Sequence, residues 1–116
     1  MVVYTEAEAE APSRGADVDT HRFDPGGLNA RDCLRHLRLQ LDAKVVVSEG
    51  GPTLLRELLA EGLVDDLVLT IAPALVAGEG RSIVNGAVFE PPLDLELREV
   101  LRSGGHLFLH YVPAAA

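Results

Sequence analysis

The residues best suited to chemistry in this chain lie in one run, Ser48-Glu49-Gly50-Gly51-Pro52-Thr53-Leu54. Anion binding is the chemistry that such a run could do. Two glycines remove side chains where the chain must turn. Pro52 suits the first position of a helix, where its missing N–H costs nothing, and leucines at helical spacing follow it. The first N–H groups of a helix have no intrahelical acceptor, and the helix dipole adds positive potential beside them. One reading is therefore a phosphate-bearing cofactor seated on Gly50 and Gly51. The other is an ordinary strand-to-helix turn, which any α/β protein needs. The run matches neither the G-x-G-x-x-G fingerprint nor a P-loop. Glu49, the one ionisable residue at the tip of the turn, either caps it or faces whatever lies across the glycines.

Other constellations are weaker. The histidines are His21, His36, His106 and His110. His106 and His110 share a strand face but stand about 13 Å apart at strand rise, too far to share a metal. H-E-x-x-H, C-x-x-C and the G-x-S-x-G elbow around a nucleophilic serine are all missing. No metal site is expected, and no catalytic acid can be named. Cys33 has no neighbour in sequence that would activate a thiolate, so it reads as a small core residue.

The elements that must position the glycine turn follow from composition and periodicity. At 116 residues, with 47% hydrophobic and 24% charged, the chain reads as one globular domain or part of one. A net charge of −8 disfavours nucleic acid and an anionic membrane surface. The expected partner is a small molecule. One cysteine, no signal peptide and no apolar stretch long enough to span a bilayer leave the cytoplasm as the default location.

Val2 to Thr5 reads as a strand that opens abruptly. Residues 6–15 read as an acidic solvated loop, and Ala16 to Phe23 as room for a short strand. Asp24-Pro25-Gly26-Gly27 is a turn, and Asn29 caps a helix running to about Leu41, with Arg31, Arg35 and Arg38 solvated. Lys44 to Ser48 reads as a buried central strand and Pro52 to Glu61 as a helix. Its apolar face is Leu54, Leu55, Leu58 and Leu59, and Arg56 faces away. Leu67 to Ile71 is a second apolar strand. Strand, helix and strand at this spacing predict a right-handed βαβ unit with parallel strands, which places Gly50 and Gly51 at a strand's carboxyl end, where ligands collect. Pro73 to Gly86 is a loop. Leu93 to Leu101 alternates and then slips, predicting a bulge. Ser103-Gly104-Gly105 turns the chain back into His106 to Val112, and residues 113–116 form a frayed tail.

Val47 to Leu54, then Leu63-Val64-Asp65-Asp66-Leu67, then Thr70-Ile71-Ala72-Pro73 with Gly78 and Gly80, closely resembles the reductase domain of bacterial riboflavin biosynthesis. This is the C-terminal half of the bifunctional deaminase-reductase, a relative of dihydrofolate reductase. Asp66 stands where the family usually has Glu. The resemblance implies an α/β fold: a mixed sheet with flanking helices and a C-terminal antiparallel hairpin. It implies NADPH as cofactor, with Gly50, Gly51, Pro52, Thr53 and Leu54 holding its phosphates and Thr5 near its 2′-phosphate. Glu49 falls on the substrate side. The implied reaction reduces the ribosylamino group of a pyrimidine phosphate to ribitylamino, in a homodimer. Family members carry a further half-domain before this point, so the chain is expected to be the C-terminal portion of such a domain, lacking its N-terminal strands. Two other readings keep the fold: a reductase of another substrate, and a non-catalytic assembly module.

Overall fold

The computed structural model describes residues 1–6, 17–80 and 82–114. Their contacts group the chain into two units, Met1–Val47 and Ser48–Ala116. Residues 7–15 of the expected acidic loop lie outside the described residues, while Glu6 belongs to a strand.

The first unit holds β1 (Val2–Glu6), β2 (Asp19–Phe23) and α1 (Ala30–Gln40). β1 and β2 pair in parallel, Val2 opposite Asp19 and Glu6 opposite Phe23. Between β2 and α1, the Gly27 N–H donates to the Asp24 carbonyl at 2.8 Å and Gly26 has φ +74°, a type II turn that needs glycine at its third position. The Gly26 N–H also donates to the Glu6 carboxylate at 3.0 Å, which ties the turn to β1. Asn29 caps α1 as its type and place predict: its side-chain oxygen accepts from the Asp32 N–H at 2.9 Å. Arg35 pairs with Asp32 at 2.9 Å, and Arg38 donates to the Ala43 carbonyl past the helix end.

The second unit holds α2 (Pro52–Ala60), β3 (Leu67–Ile71), β4 (Leu95–Ser103) and β5 (His106–Pro113). α2 ends in a Schellman motif. The Leu63 N–H donates to the Leu58 carbonyl and the Gly62 N–H to that of Leu59, with Gly62 at φ +64°. The sheet order is β3-β5-β4, antiparallel throughout. Gly104 and Gly105, both at positive φ, make the two-residue turn between β4 and β5. The register shifts between Leu97 and Glu99, which is the bulge that the broken alternation predicted. Because of that shift, Leu95, Leu97 and Val100 share a face with Leu107, Leu109 and Tyr111 of β5 and with Leu67, Leu69 and Ile71 of β3. Leu58 and Leu59 of α2 are the buried hydrophobic residues among those described.

Three expectations change. Lys44–Ser48 forms no strand: Val45 and Val47 are 81% and 79% exposed, and no described strand pairs with the run. β-branched residues favour a strand only where neighbours accept the ladder's hydrogen bonds. Consequently β3 has β5 as its neighbour, antiparallel, in place of a parallel βαβ partner. The tail is also held further than expected, since Pro113 ends β5 opposite Leu95 and the Ala114 N–H donates to the Asp94 carbonyl at 2.9 Å. Among the described residues, no helix is long and apolar enough to cross a membrane.

Candidate functional site

The glycine turn leads directly into α2. Gly51 is the N-cap, with φ −70° and ψ 176°, and no side chain caps the helix. Pro52 occupies the first position and has no N–H. The first intrahelical bond runs from the Leu55 N–H to the Gly51 carbonyl at 3.0 Å. The N–H groups of Thr53 and Leu54 therefore open the helix without an intrahelical acceptor.

The two glycines differ in what their missing side chains do. Neither has positive φ, so neither is needed for its backbone conformation. A Cβ on Gly50 would sit 2.5 Å from Leu54 Cδ2, so that glycine lets the first turn of α2 fold back over the chain. A Cβ on Gly51 would meet nothing within 4 Å. Among the described residues, nothing in this unit's packing requires glycine there. A molecule lying close against the backbone would.

Pro52 and Thr53 form one side of an open cleft of about 490 Å³, with Gly80, Ser82 and Asn85 opposite. Among the described residues its lining offers hydroxyl, amide and backbone groups. The Ser82 hydroxyl donates to the Val84 carbonyl at 2.6 Å, which fixes the turn of that wall. The Asn85 N–H donates to the Pro52 carbonyl at 3.2 Å, joining wall to helix. Glu49 is exposed at the start of the turn.

Of the residues singled out from sequence, the structure brings Glu49, Gly50, Gly51, Pro52, Thr53 and Leu54 together around one helix start. Pro52 and Thr53 line the cleft, whereas the Leu54 side chain lies over Gly50. Thr5 is in the other unit, opposite Arg22 in the parallel ladder. Gly50 and Gly51 do not follow a parallel strand, because 44–48 is not one.

Sequence reasoning missed Ser82, Asn85 and Arg56. Arg56, off the apolar face of α2, is engaged by a loop: its Nε donates to the Ala87 carbonyl at 2.8 Å and its guanidinium stands 5.3 Å from the centre of the Phe89 ring. Helical spacing shows which face carries a residue, but not that a loop about thirty residues later will return to it.

The first unit holds a second constellation that spacing does not reveal. The Tyr4 hydroxyl and His36 Nδ1 are 3.0 Å apart. The rings of His21 and His36 lie 4.2 Å apart, centre to centre, and Phe23 completes the cluster against Tyr4 and His21. Burial pushes the Tyr4 phenol above its ordinary pKa, and the nearby Cys33 and Asp19 add to the effect.

The described elements make an α/β protein with two sheets, two helices and C-terminal antiparallel strands. Its fold matches a pyrimidine reductase-like protein from Corynebacterium diphtheriae with a TM-score of 0.80 at 21% identity, covering 99% of this chain and 50% of that one. It also matches Acinetobacter baumannii RibD, forms 1 and 2, each with a TM-score of 0.72 at 25% identity, covering 84% of this chain and 27% of RibD. The chain belongs to the RibD C-terminal domain family, whose model matches residues 1–109. It spans about a quarter of the RibD chain and half of the Corynebacterium protein. No curated protein matches it in sequence.

Proposed function

We propose that this chain is a reductase domain of the riboflavin-biosynthesis type, or part of one, and that it uses NADPH. The observation that carries the reading is the start of α2, where Gly51 leaves open space in front of a helix end that no side chain caps. A dinucleotide's pyrophosphate is an anion of the kind that such an end binds. Membership of the RibD C-terminal domain family supports this ligand over an arbitrary one.

The residues present fit that group. The N–H groups of Thr53 and Leu54 would donate to phosphate oxygens, and the Thr53 hydroxyl can donate a third bond. Gly50 and Gly51 would admit the backbone's close approach. Pro52 keeps the helix start rigid without presenting an N–H of its own. When bound, NADPH supplies a hydride. The proposed reaction uses that hydride, with a proton from water, to reduce the ribosylamino group of a pyrimidine phosphate to ribitylamino. Glu49 would orient the substrate or the nicotinamide through its carboxylate, and Thr5 would contact the 2′-phosphate. The acting form would be a homodimer.

Calorimetric titration with NADPH, with NADH alongside, tests this. Micromolar binding that prefers NADPH, and is lost in Gly51→Val, is expected. A folded chain that binds neither nucleotide would overturn the reading.

A further inference from the structure

Arg56 stands three residues after Thr53 and four after Pro52, so all three lie on one side of α2. Thr53 and Pro52 line the cleft, and Arg56 is one turn below it. From there the guanidinium donates to the Ala87 carbonyl at 2.8 Å and lies over Phe89. Between them and the cleft is Gly86, at φ +142°, where a Cβ would come within 2.5 Å of Arg56 Cδ. Next in the chain, the Asn85 N–H bonds to the Pro52 carbonyl. The segment Asn85–Phe89 is thus fastened to α2 by two hydrogen bonds and a cation–π contact, with a close backbone approach between them. Asn85 also ends the cleft's far wall.

We propose that Arg56 is a positioning residue that holds this wall at a fixed distance from Thr53 and so sets the width of the cleft for a pyrophosphate-bearing ligand. The ligand part of this inference rests on the reading in the preceding subsection. Arg56 itself does not line the cleft. It acts through Ala87 and Asn85. Arginine suits the task because its planar group donates along one edge while its face lies on an aromatic ring, which lysine cannot reproduce. Gly86 suits it because any side chain there would be strained at positive φ and would push the guanidinium stem away.

The test uses the full chain in three variants and two measurements. In Arg56→Met, which keeps an aliphatic stem, amide hydrogen exchange at Asn85 should quicken by about tenfold while Leu109 in β5 is unchanged. The dissociation constant for NADPH should rise by a similar factor. Arg56→Lys should recover part of both, and Gly86→Ala should reproduce both losses with Arg56 intact. Unchanged exchange at Asn85 in Arg56→Met would overturn the proposal. So would faster exchange with undiminished NADPH binding. If the unaltered chain does not bind NADPH, the cofactor reading fails on its own, and the exchange measurement still decides whether Arg56 holds the wall.

Discussion

His110 Nε2 of β5 lies 2.7 Å from the Asp66 carboxylate at the start of β3, forty-four positions earlier in sequence. Asp66 is one of the acidic residues on which the riboflavin-reductase resemblance rests, and its visible task is structural. It anchors the first residues of β3 to the neighbouring strand, where Val68 pairs with His110. Asp66 is 62% exposed, so solvent screening limits the pair to about 0.5 kcal/mol. Asp66→Asn and His110→Ala should each lower stability by that order. A double-mutant cycle by urea denaturation should recover a coupling of that order. Additive losses would mean that the contact contributes nothing.

Tyr4 gives the first unit an alkaline limit. Its phenol titrates above its ordinary value in the folded chain, so the unfolded state releases its proton first as pH rises. The stabilisation is full below about pH 10 and is lost as pH climbs through the folded value. Thermal unfolding followed from pH 8 to 11 should show a decline that Tyr4→Phe reduces. At neutral pH the same substitution forfeits the hydrogen bond to His36, a loss of about 1 kcal/mol.

Gly51→Ala should separate folding from ligand binding. Its φ and ψ suit any residue, and the new methyl meets no atom within 4 Å among the described residues. Alanine is a poorer N-cap than glycine, but it also reduces unfolded-state entropy, so stability should shift by less than about 1 kcal/mol. NADPH affinity should fall much further, because the methyl occupies the space in front of the helix amides. Equal affinities for the two chains would remove Gly51 from the site.

Asn29→Ala removes the side-chain oxygen that accepts from the Asp32 N–H. The expected cost is about 1 kcal/mol. Circular dichroism should report lost helix, and Asn29→Ser should restore most of it.

Local signals were legible and distant ones were not. Asn29 before α1 and Gly62 after α2 serve backbone groups within a few residues, and Pro52 at the start of α2 has no N–H that needs a partner, so residue type alone located the helices. The slip after Leu97 was readable because a period of two leaves a visible fault when broken. Val45-Val46-Val47 misled for the opposite reason: apolar β-branched residues state a preference, and a strand also needs neighbours that sequence does not display. The site divided in the same way. The run from Glu49 to Leu54 is contiguous, so its place at one helix start could be read from sequence. Asn85, Ala87 and Phe89 join it only through a returning loop, and Tyr4, His21 and His36 meet across three elements with no characteristic spacing.

The bulge in β4 governs how this hairpin tolerates changes in chain length. Arg98 is the supernumerary residue, and its guanidinium is engaged with Glu96 at 3.0 Å beside it. Removing Arg98 would leave Leu97 next to Glu99 and restore strict alternation. Glu99 would still pair with His110 and Val100 with Leu109, because the ladder closes over the lost residue. The bulge therefore absorbs one residue: it lets two apolar stretches that are out of phase in sequence face the same way. Loss of the residue in the bulge should therefore be tolerated in natural descendants of this hairpin, whereas a single deletion elsewhere in β4 would turn one of its apolar stretches to the other face.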